Sequence, residues 1–486
     1  MDLFESLSSV VGGERVATDL ETRAGYASDL SLLPPAMPQA VVFPRSSAEV
    51  QGLVRWAAAT ATPLIPVSSG PPRTKGDTLP SRGGVVVDLQ GMNRIVHIDR
   101  KNRVALVEPG VTFAHLIPRL RDAGLRLNMP LLPRGAKSVL TSALEREPPM
   151  CPRYQWDASD PLCCVEVVYG TGELFWTGEA AGPGSLETQW ERGGAQKFPL
   201  GPHQVDYHRI LQGAQGTMGV VTWASIKCEQ YPSKDELFLV PGEELGPLIR
   251  LAYSLMYRDV GDELFLVNGL DLACMVSEEP TRIRALADAS RAWVLLVGLS
   301  GYDYLPEERI GYQREGLFEL ARQEGLGPRE GLDGVDGRWL MKMLRGVSPE
   351  PYWKGRLKGA CQDIFFLAPL DKAPAYLDLA CRVLASASFP LADLGVYLQP
   401  MVQGTVCHVE LSLCHEPLDG ALRDRLKAVL DDTARALLEA GAFFSRPYPA
   451  WASMVYERQA VYTETLRKIK GIFDPSRILN PGKLCF

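Results

Sequence analysis

"PVSSGPPRTKGDTLP", residues 66–80, joins an apolar segment to a glycine-containing turn and is built almost wholly from small, hydroxyl-bearing and turn-forming residues. Such a loop brings backbone N–H groups close to an anion such as a phosphate, because little side chain obstructs the approach. Only Gly70 and Gly76 are glycines, and Pro71 and Pro72 each remove a donor. Ser68, Ser69, Thr74 and Thr78 offset that loss with hydroxyls, and Arg73 and Lys75 with charge; Asp77 completes the turn. A plain surface turn is the competing reading.

Upstream, "SSAEVQGLVRWAAATATPLIPV" carries a Ser cap, Glu49 three residues on and apolar residues at helical spacing, which predicts a helix that ends before Pro63 and a strand after it. Downstream, "GGVVVDLQGMNRIVHIDRKNRVALVEPGVTF" supplies three β-branched runs separated by turn residues. "FAHLIPRLRDAGLRLN" resumes helical spacing up to Gly124, and "CCVEVVYGTGELFWTG" reads as a hairpin. The alternation argues an α+β domain with mixed sheets rather than a bundle. "EAAGPGSLETQWERGGAQKFPLGPHQ" is a polar, Gly-rich excursion whose length suggests a functional insertion or lid. Past Pro232 the texture shifts to helix–strand units, ending in the strand "TVCHVELSLC", a long helix and a C-terminal tail from Trp451.

With 486 residues the chain is longer than one core usually grows, so two or more domains are expected. A formal charge of −7 without a basic run argues against a nucleic-acid or anionic-membrane partner. The N-terminus shows no basic and apolar export pattern, which predicts a cytoplasmic protein, and no apolar stretch approaches the roughly 20 residues of a spanning helix. Ten cysteines lack CxxC spacing; Cys163 and Cys164 are adjacent, and buried free thiols are expected.

The order of "VVFPRSSAEV", the loop at Pro66, "GGVVVDLQGMNRI", "ALVEPGVTFAHL", "LQGAQGTMGVVTWASIKC" and "FDPSRILNPGKL" resembles the FAD-linked oxidases and dehydrogenases related to vanillyl-alcohol oxidase, para-cresol methylhydroxylase and the D-lactate and glycolate dehydrogenase flavoprotein subunits. The resemblance runs from about Ser8 to Leu484. It implies a two-lobed FAD-binding domain over residues 1–231, a cap or substrate domain over 232–450, and a tail, 451–486, that returns to the FAD domain. It also implies FAD contacts in the loop at Ser68–Thr78 and in "RGAKSVLTSALEREPP", which departs from the family's Gly-Gly pair but offers Lys137, Ser138, Thr141 and Ser142. Further contacts are implied in "GAQGTMGVVT", with Gly213, Gly216, Gly219 and the backbone at Val221, and at Asn480 and Lys483 in the tail. No histidine lies between Phe43 and Arg94, which excludes a covalent flavin link at the first loop and makes non-covalent FAD the expectation.

Oxidation of an alcohol on a flavin needs a base for the hydroxyl proton and a cation or donor for the substrate's anionic group. Alternation along "TVCHVELSLC" puts His408 and Glu410 on one strand face with Ser412 and Cys414, and Cys407, Val409, Leu411 and Leu413 on the other, core-facing side. His408 and Glu410 are candidates for base and orienting partner; a histidine that merely hydrogen-bonds in a sheet is the alternative. In "FFSRPYPAW", Arg446 and Tyr448 are candidates for holding a carboxylate or phenolate, with helix capping by Arg446 as the alternative. No metal site is expected. Tyr154 and Trp156 in "YQWDASDPL" could line a cavity or lie buried beneath the polar excursion. The expected activity is oxidation of an alcohol or 2-hydroxy acid by hydride transfer to flavin, with electrons passed to an iron–sulfur or cytochrome protein partner. An oligomer is allowed. A catalytically reduced structural subunit and a para-substituted phenol oxidase are the competing readings.

Overall fold

The computed structural model describes residues 2–152, 160–202, 206–289, 292–417 and 420–486; Tyr154 and Trp156 lie outside them. Among the described residues three sheets of four or more strands order the chain, beside a two-stranded one of Gly331–Leu332 and Val335–Asp336, and each of the three follows from the hydrophobic pattern of its strands. In the first, Ala40–Val42 and Leu64–Val67 run parallel to Val85–Asp88, with Val16–Ala17 antiparallel at the edge. Parallel pairing requires a crossover. The helix Ser47–Thr60 provides it, started by the Ser46 hydroxyl accepting from Glu49 N–H and burying Val50, Leu53, Val54 and Ala57.

The second sheet is antiparallel, in the order Ile95–Asp99, Val104–Val107, Val220–Gln230, Leu162–Val168, Leu174–Trp176, and Leu125–Leu127 pairs with the far end of Val220–Gln230. The third is also antiparallel, in the order Lys234–Gly242, Trp293–Gly301, Glu263–Asn268, Leu394–Met401, Val406–His415, Ala360–Ala368. One face of this third sheet is closed by its own helices, among them Leu245–Tyr257, Ala373–Ser386 and Gly420–Glu439, and here Cys407, Val409, Leu411 and Leu413 are fully buried. The other face joins the core of the second sheet, through Phe265, Val267 and Tyr397 among others. The polar row of Val406–His415 therefore points toward the second sheet.

The tail returns across the molecule. Leu479 pairs with Leu64, with Leu64 N–H donating to Ile478 O at 2.8 Å and Asn480 N–H to Leu64 O at 2.8 Å. One expectation, a functional insertion or lid in the polar segment after Trp176, is not met among the described residues, which pack onto the second sheet. The Glu179 carboxylate accepts from Ala195 N–H at 2.9 Å and Lys197 N–H at 3.0 Å, and Ala180, Ala195 and Trp190 pack on Leu106 and Trp223, against the second sheet. Cys163 and Cys164 are buried free thiols, with burial pushing their pKa values up to about 12 and about 11.

Candidate functional site

Two clefts meet where the three sheets converge. The first, about 1120 Å³ including its open mouth, is lined by the loop Pro66–Thr78, by Lys137, Thr141 and Glu145, and by the turn Gly213–Gly216 with Gly219 and Val221. The second, about 1920 Å³, lies against the third sheet and is lined by Trp353, Lys354, Asp363, Phe365, Tyr397, His408 and Glu410. Thr74, Lys75, Arg134, Lys137 and Arg446 line both, so they mark the junction.

Of the residues singled out from the sequence, Ser68, Ser69, Arg73, Thr74, Asp77, Thr78, Lys137, Thr141, Gly213, Gly216, Gly219, Val221, Arg446 and Tyr448 line the first cleft, and His408, Glu410 and again Arg446 the second. Six others sit behind the wall of the first cleft. Gly70 N–H donates to Ala136 O, and Ser138 caps the helix Val139–Leu144. Ser142 donates to Glu147 at 2.6 Å. Gly76, at φ +74°, donates to Asp29, while its carbonyl accepts from Lys483 at 2.9 Å. Asn480 donates from Nδ2 to Asp77 O and Gln215 O. Arg73 lines the cleft, but its guanidinium is engaged elsewhere, donating to Gly25 O at 2.7 Å and stacking on Tyr26. The hydroxyls mostly tie loop to loop: Ser68 bonds Thr141, and Ser138 N–H donates to Ser69 Oγ at 3.1 Å.

The junction is densely charged. Lys75 reaches Glu145 at 2.9 Å and Glu147 at 3.5 Å, and Lys137 reaches Glu145 at 2.7 Å and also pairs with Glu147. These two lysines and two glutamates compensate one another. Burial and the nearby Glu145 push the Asp77 carboxyl up to about 6, and push the Tyr448 phenol, 3.4 Å from Lys75, above its ordinary range. Arg446 is different. Its guanidinium, 6% exposed, donates to Glu145 O at 3.3 Å and faces His408 Nδ1 at 3.5 Å, stacked 4.4 Å over the Phe365 ring. Among the described residues neither Arg446 nor Arg134 makes an ion pair with a carboxylate; the Arg134 guanidinium donates to Gly70 O, at 3.4 Å.

In the second cleft His408 Nε2 lies 3.1 Å from Glu410 Oε2, and Glu410 Oε1 lies 2.5 Å from Lys354 Nζ, which also holds Asp363 at 2.8 Å. Burial opposes ionisation of Glu410, but the Lys354 ammonium outweighs it and holds the carboxyl well below its usual range. Burial lowers the His408 pKa, so the ring is neutral near pH 7. An ionised carboxylate only accepts, so the proton of His408 resides on Nε2 and the Nδ1 lone pair faces Arg446. Asp271 lies behind this group, its Oδ2 without a hydrogen-bond partner among the described residues and its carboxyl pushed up to about 7 by burial.

Residues 38–178 match the FAD binding domain model, and residues 451–484 match the C-terminal domain of FAD linked oxidases. The chain thus carries the FAD-binding and C-terminal domains found in FAD-linked oxidases. Along nearly its whole length it is similar to an uncharacterized FAD-linked oxidoreductase of Mycobacterium tuberculosis, at 23% identity over 494 residues, 99% of this chain and 98% of that protein. The mitochondrial D-lactate dehydrogenase [cytochrome] of Arabidopsis thaliana is 25% identical over 499 residues, 99% of this chain and 80% of that protein. The fold matches 4-ethylphenol oxidase from Gulosibacter chungangensis, solved as its isoeugenol complex, with a TM-score of 0.84 at 21% identity, covering 99% and 96% of the two chains.

The first cleft fits the cofactor of the matched FAD binding domain. Thr78 Oγ1 and Gln215 Oε1 line it and are buried without a hydrogen-bond partner among the described residues, as groups reserved for a ligand would be. Small residues at Ser68, Ser69, Gly213 and Gly216 leave the main chain open to a diphosphate. Gly216 holds φ +71°, and a Cβ there would stand 2.4 Å from Pro66 Cγ. Gly216→Ala is therefore expected to push the two cofactor loops apart and weaken FAD retention at least tenfold, read as flavin released on gel filtration.

Lys354, Asp363, Phe365, Glu145, Glu147 and Arg134 escaped the reading by motif. Lys354 stands in the aperiodic loop "PYWKGR", and only the tertiary fold brings it to Glu410. Alternation along Val406–His415 did signal the face on which one of its partners, Glu410, stands.

Proposed function

We propose that the enzyme oxidises a 2-hydroxy acid, the substrate carboxylate held by Arg446 and the hydroxyl proton taken by His408. Arg446 carries this reading: it is a buried cation without a carboxylate partner among the described residues, at the junction of the cofactor cleft and the cap cleft. A guanidinium receives a carboxylate through two parallel N–H bonds, and desolvation makes that contact strong. Bound FAD supplies the hydride acceptor.

His408 supports the second half. Its Nδ1 lone pair is 3.5 Å from the guanidinium that would hold the substrate, and Glu410 fixes the ring through Nε2 and offsets the charge of the protonated ring. A carboxylate on Arg446 also reduces that cation's depression of His408 basicity, so substrate binding readies the base. The relative named for a cytochrome supports a protein as the final electron acceptor. The named phenol oxidase supports the second reading, in which Arg446 holds a phenolate instead.

Arg446→Ala is expected to raise KM about 10- to 100-fold for a 2-hydroxy acid with flavin content unchanged. Loss of FAD with an unchanged KM would contradict the assignment. A parallel screen of 4-alkylphenols decides between the two substrate classes.

A further inference from the structure

We infer that the site has a side pocket for an apolar substituent of the substrate, and that the enzyme acts on 2-hydroxy acids with an aryl or medium-length alkyl side chain rather than on two- or three-carbon acids. This rests on the hydroxy-acid reading above. The pocket, about 710 Å³ including its mouth, runs inward between the N-terminal segment at Ser31–Leu33 and the helix Gly420–Glu439. It shares Thr74, Lys75, Cys361, Asp363 and Phe365 with the cap cleft, and Tyr448 with the cofactor cleft, so it opens on the same junction.

Phe365 is the common wall. Arg446 stacks on its ring at 4.4 Å, and Trp451 meets the ring edge-on at 5.6 Å. A substrate whose carboxylate rests on Arg446 therefore has Phe365 beside it, and a substituent extending past that ring enters the side pocket. There it meets Leu32, Leu33, Leu430 and Trp451. Trp451 is 94% buried from solvent, being 6% exposed, and its Nε1 has no hydrogen-bond partner among the described residues. The pocket thus offers apolar walls, which suit an alkyl or aryl substituent. At the outer end Lys427 and Asp431, paired at 2.6 Å, stand at the solvent side. A hydroxy acid of two or three carbons would leave this apolar volume unused.

The test uses the full-length, FAD-loaded enzyme and the series glycolate, lactate, 2-hydroxyhexanoate, 2-hydroxyoctanoate and 3-phenyllactate. At about 0.8 kcal/mol per buried methylene, kcat/KM is expected to rise about fourfold per added CH₂ until the pocket fills. Leu33→Trp, which fills the pocket from the N-terminal segment, is expected to flatten that rise by tenfold or more at the long end and leave glycolate unchanged. Leu430→Phe, from the opposite wall, should do the same. A wild-type enzyme indifferent to chain length, or a Leu33→Trp variant that loses glycolate and phenyllactate equally, would overturn the inference. The unreactive carboxylates propionate, hexanoate and octanoate, titrated by tryptophan fluorescence, separate it from the oxidation chemistry. If affinity climbs with length and Leu33→Trp abolishes the climb, the pocket stands even where no hydroxy acid is oxidised. If octanoate binds no better than propionate, the pocket fails whatever the enzyme oxidises.

Discussion

Asp474→Ala is expected to destabilise the protein by about 3–5 kcal/mol and to strip it of FAD, although Asp474 lines neither cleft. Asp474 is fully buried and pairs with Lys470, itself 3% exposed, at 2.6 Å. It caps the end of the helix Ala460–Phe473 and accepts from Ile478 N–H at 3.1 Å and Leu479 N–H at 2.9 Å. Removing it leaves a buried ammonium whose remaining partners are the carbonyls of Thr217 and Leu479, and leaves two buried N–H groups unpaired. The damage then travels along the tail. Ile478 and Leu479 dock on Leu64 at the start of the strand that leads into the loop at Pro66, Asn480 bridges Asp77 O and Gln215 O, and Lys483 holds Gly76 O. Two loops of the cofactor cleft thus lose the segment that clamps them together. Thermal unfolding with and without added FAD checks this: the variant should melt several degrees lower and gain more from added FAD than the wild type does. Asp474→Asn, which keeps one acceptor and loses the charge, should fall between them. An unchanged melting temperature in Asp474→Ala would refute the argument.

That tail illustrates what the sequence could and could not convey. "FDPSRILNPGKL" is legible as a helix stop followed by a turn, and its likeness to a family tail pointed to the FAD domain. The salt bridge that secures it is an i, i+4 pair that looks, in sequence, like any solvated helix pair. Periodicity worked where one element faces one core: the Ser46 cap and the apolar stripe of Ser47–Thr60, and the strict alternation of Val406–His415, in which the apolar row is buried among helices. It failed for residues 178–202, where polar, Gly-rich composition suggested a lid. One carboxylate, Glu179, accepts from three loop N–H groups, of Ala195, Lys197 and Phe198, and Trp190 packs inward, so a segment that looks solvated is fixed to the sheet. It was silent about Lys354 for the same reason: its partners lie 9 and 56 residues away, and their meeting is a property of the assembled sheet.

Lys354→Met is expected to cut turnover of the proposed reaction toward the level of His408→Gln, itself slowed about 100- to 10,000-fold, through a change visible in the pH profile. Lys354 touches neither Arg446, proposed above to hold the carboxylate, nor Nδ1 of His408, proposed as the base; it holds Glu410. Burial opposes its charge, but Asp363 and Glu410 outweigh that and hold its pKa well above the ordinary lysine range, so it stays a cation at every pH of interest. Its charge keeps Glu410 ionised and also lowers the His408 pKa. Removing it makes the His408–Glu410 pair take up a proton more readily, whichever atom receives it, and the active form, neutral His408 beside ionised Glu410, is lost at higher pH than before. Wild-type flavin bleaching in a single turnover should therefore be flat around neutrality and fall only in acid, below the ordinary histidine value of 6.5. In Lys354→Met the acid limb should move toward or past neutrality, and raising the pH should recover much of the lost rate. Lys354→Arg, which retains the cation, should keep the wild-type limb. Asp271 and Asp363 also face this group from neighbouring elements, and Asp271, at about 7, titrates in the same window. Asp271→Asn in both backgrounds separates its proton from that of the pair. If Lys354→Met slows bleaching equally at all pH values while Lys354→Arg restores nothing, the lysine serves packing alone and has no part in setting the base.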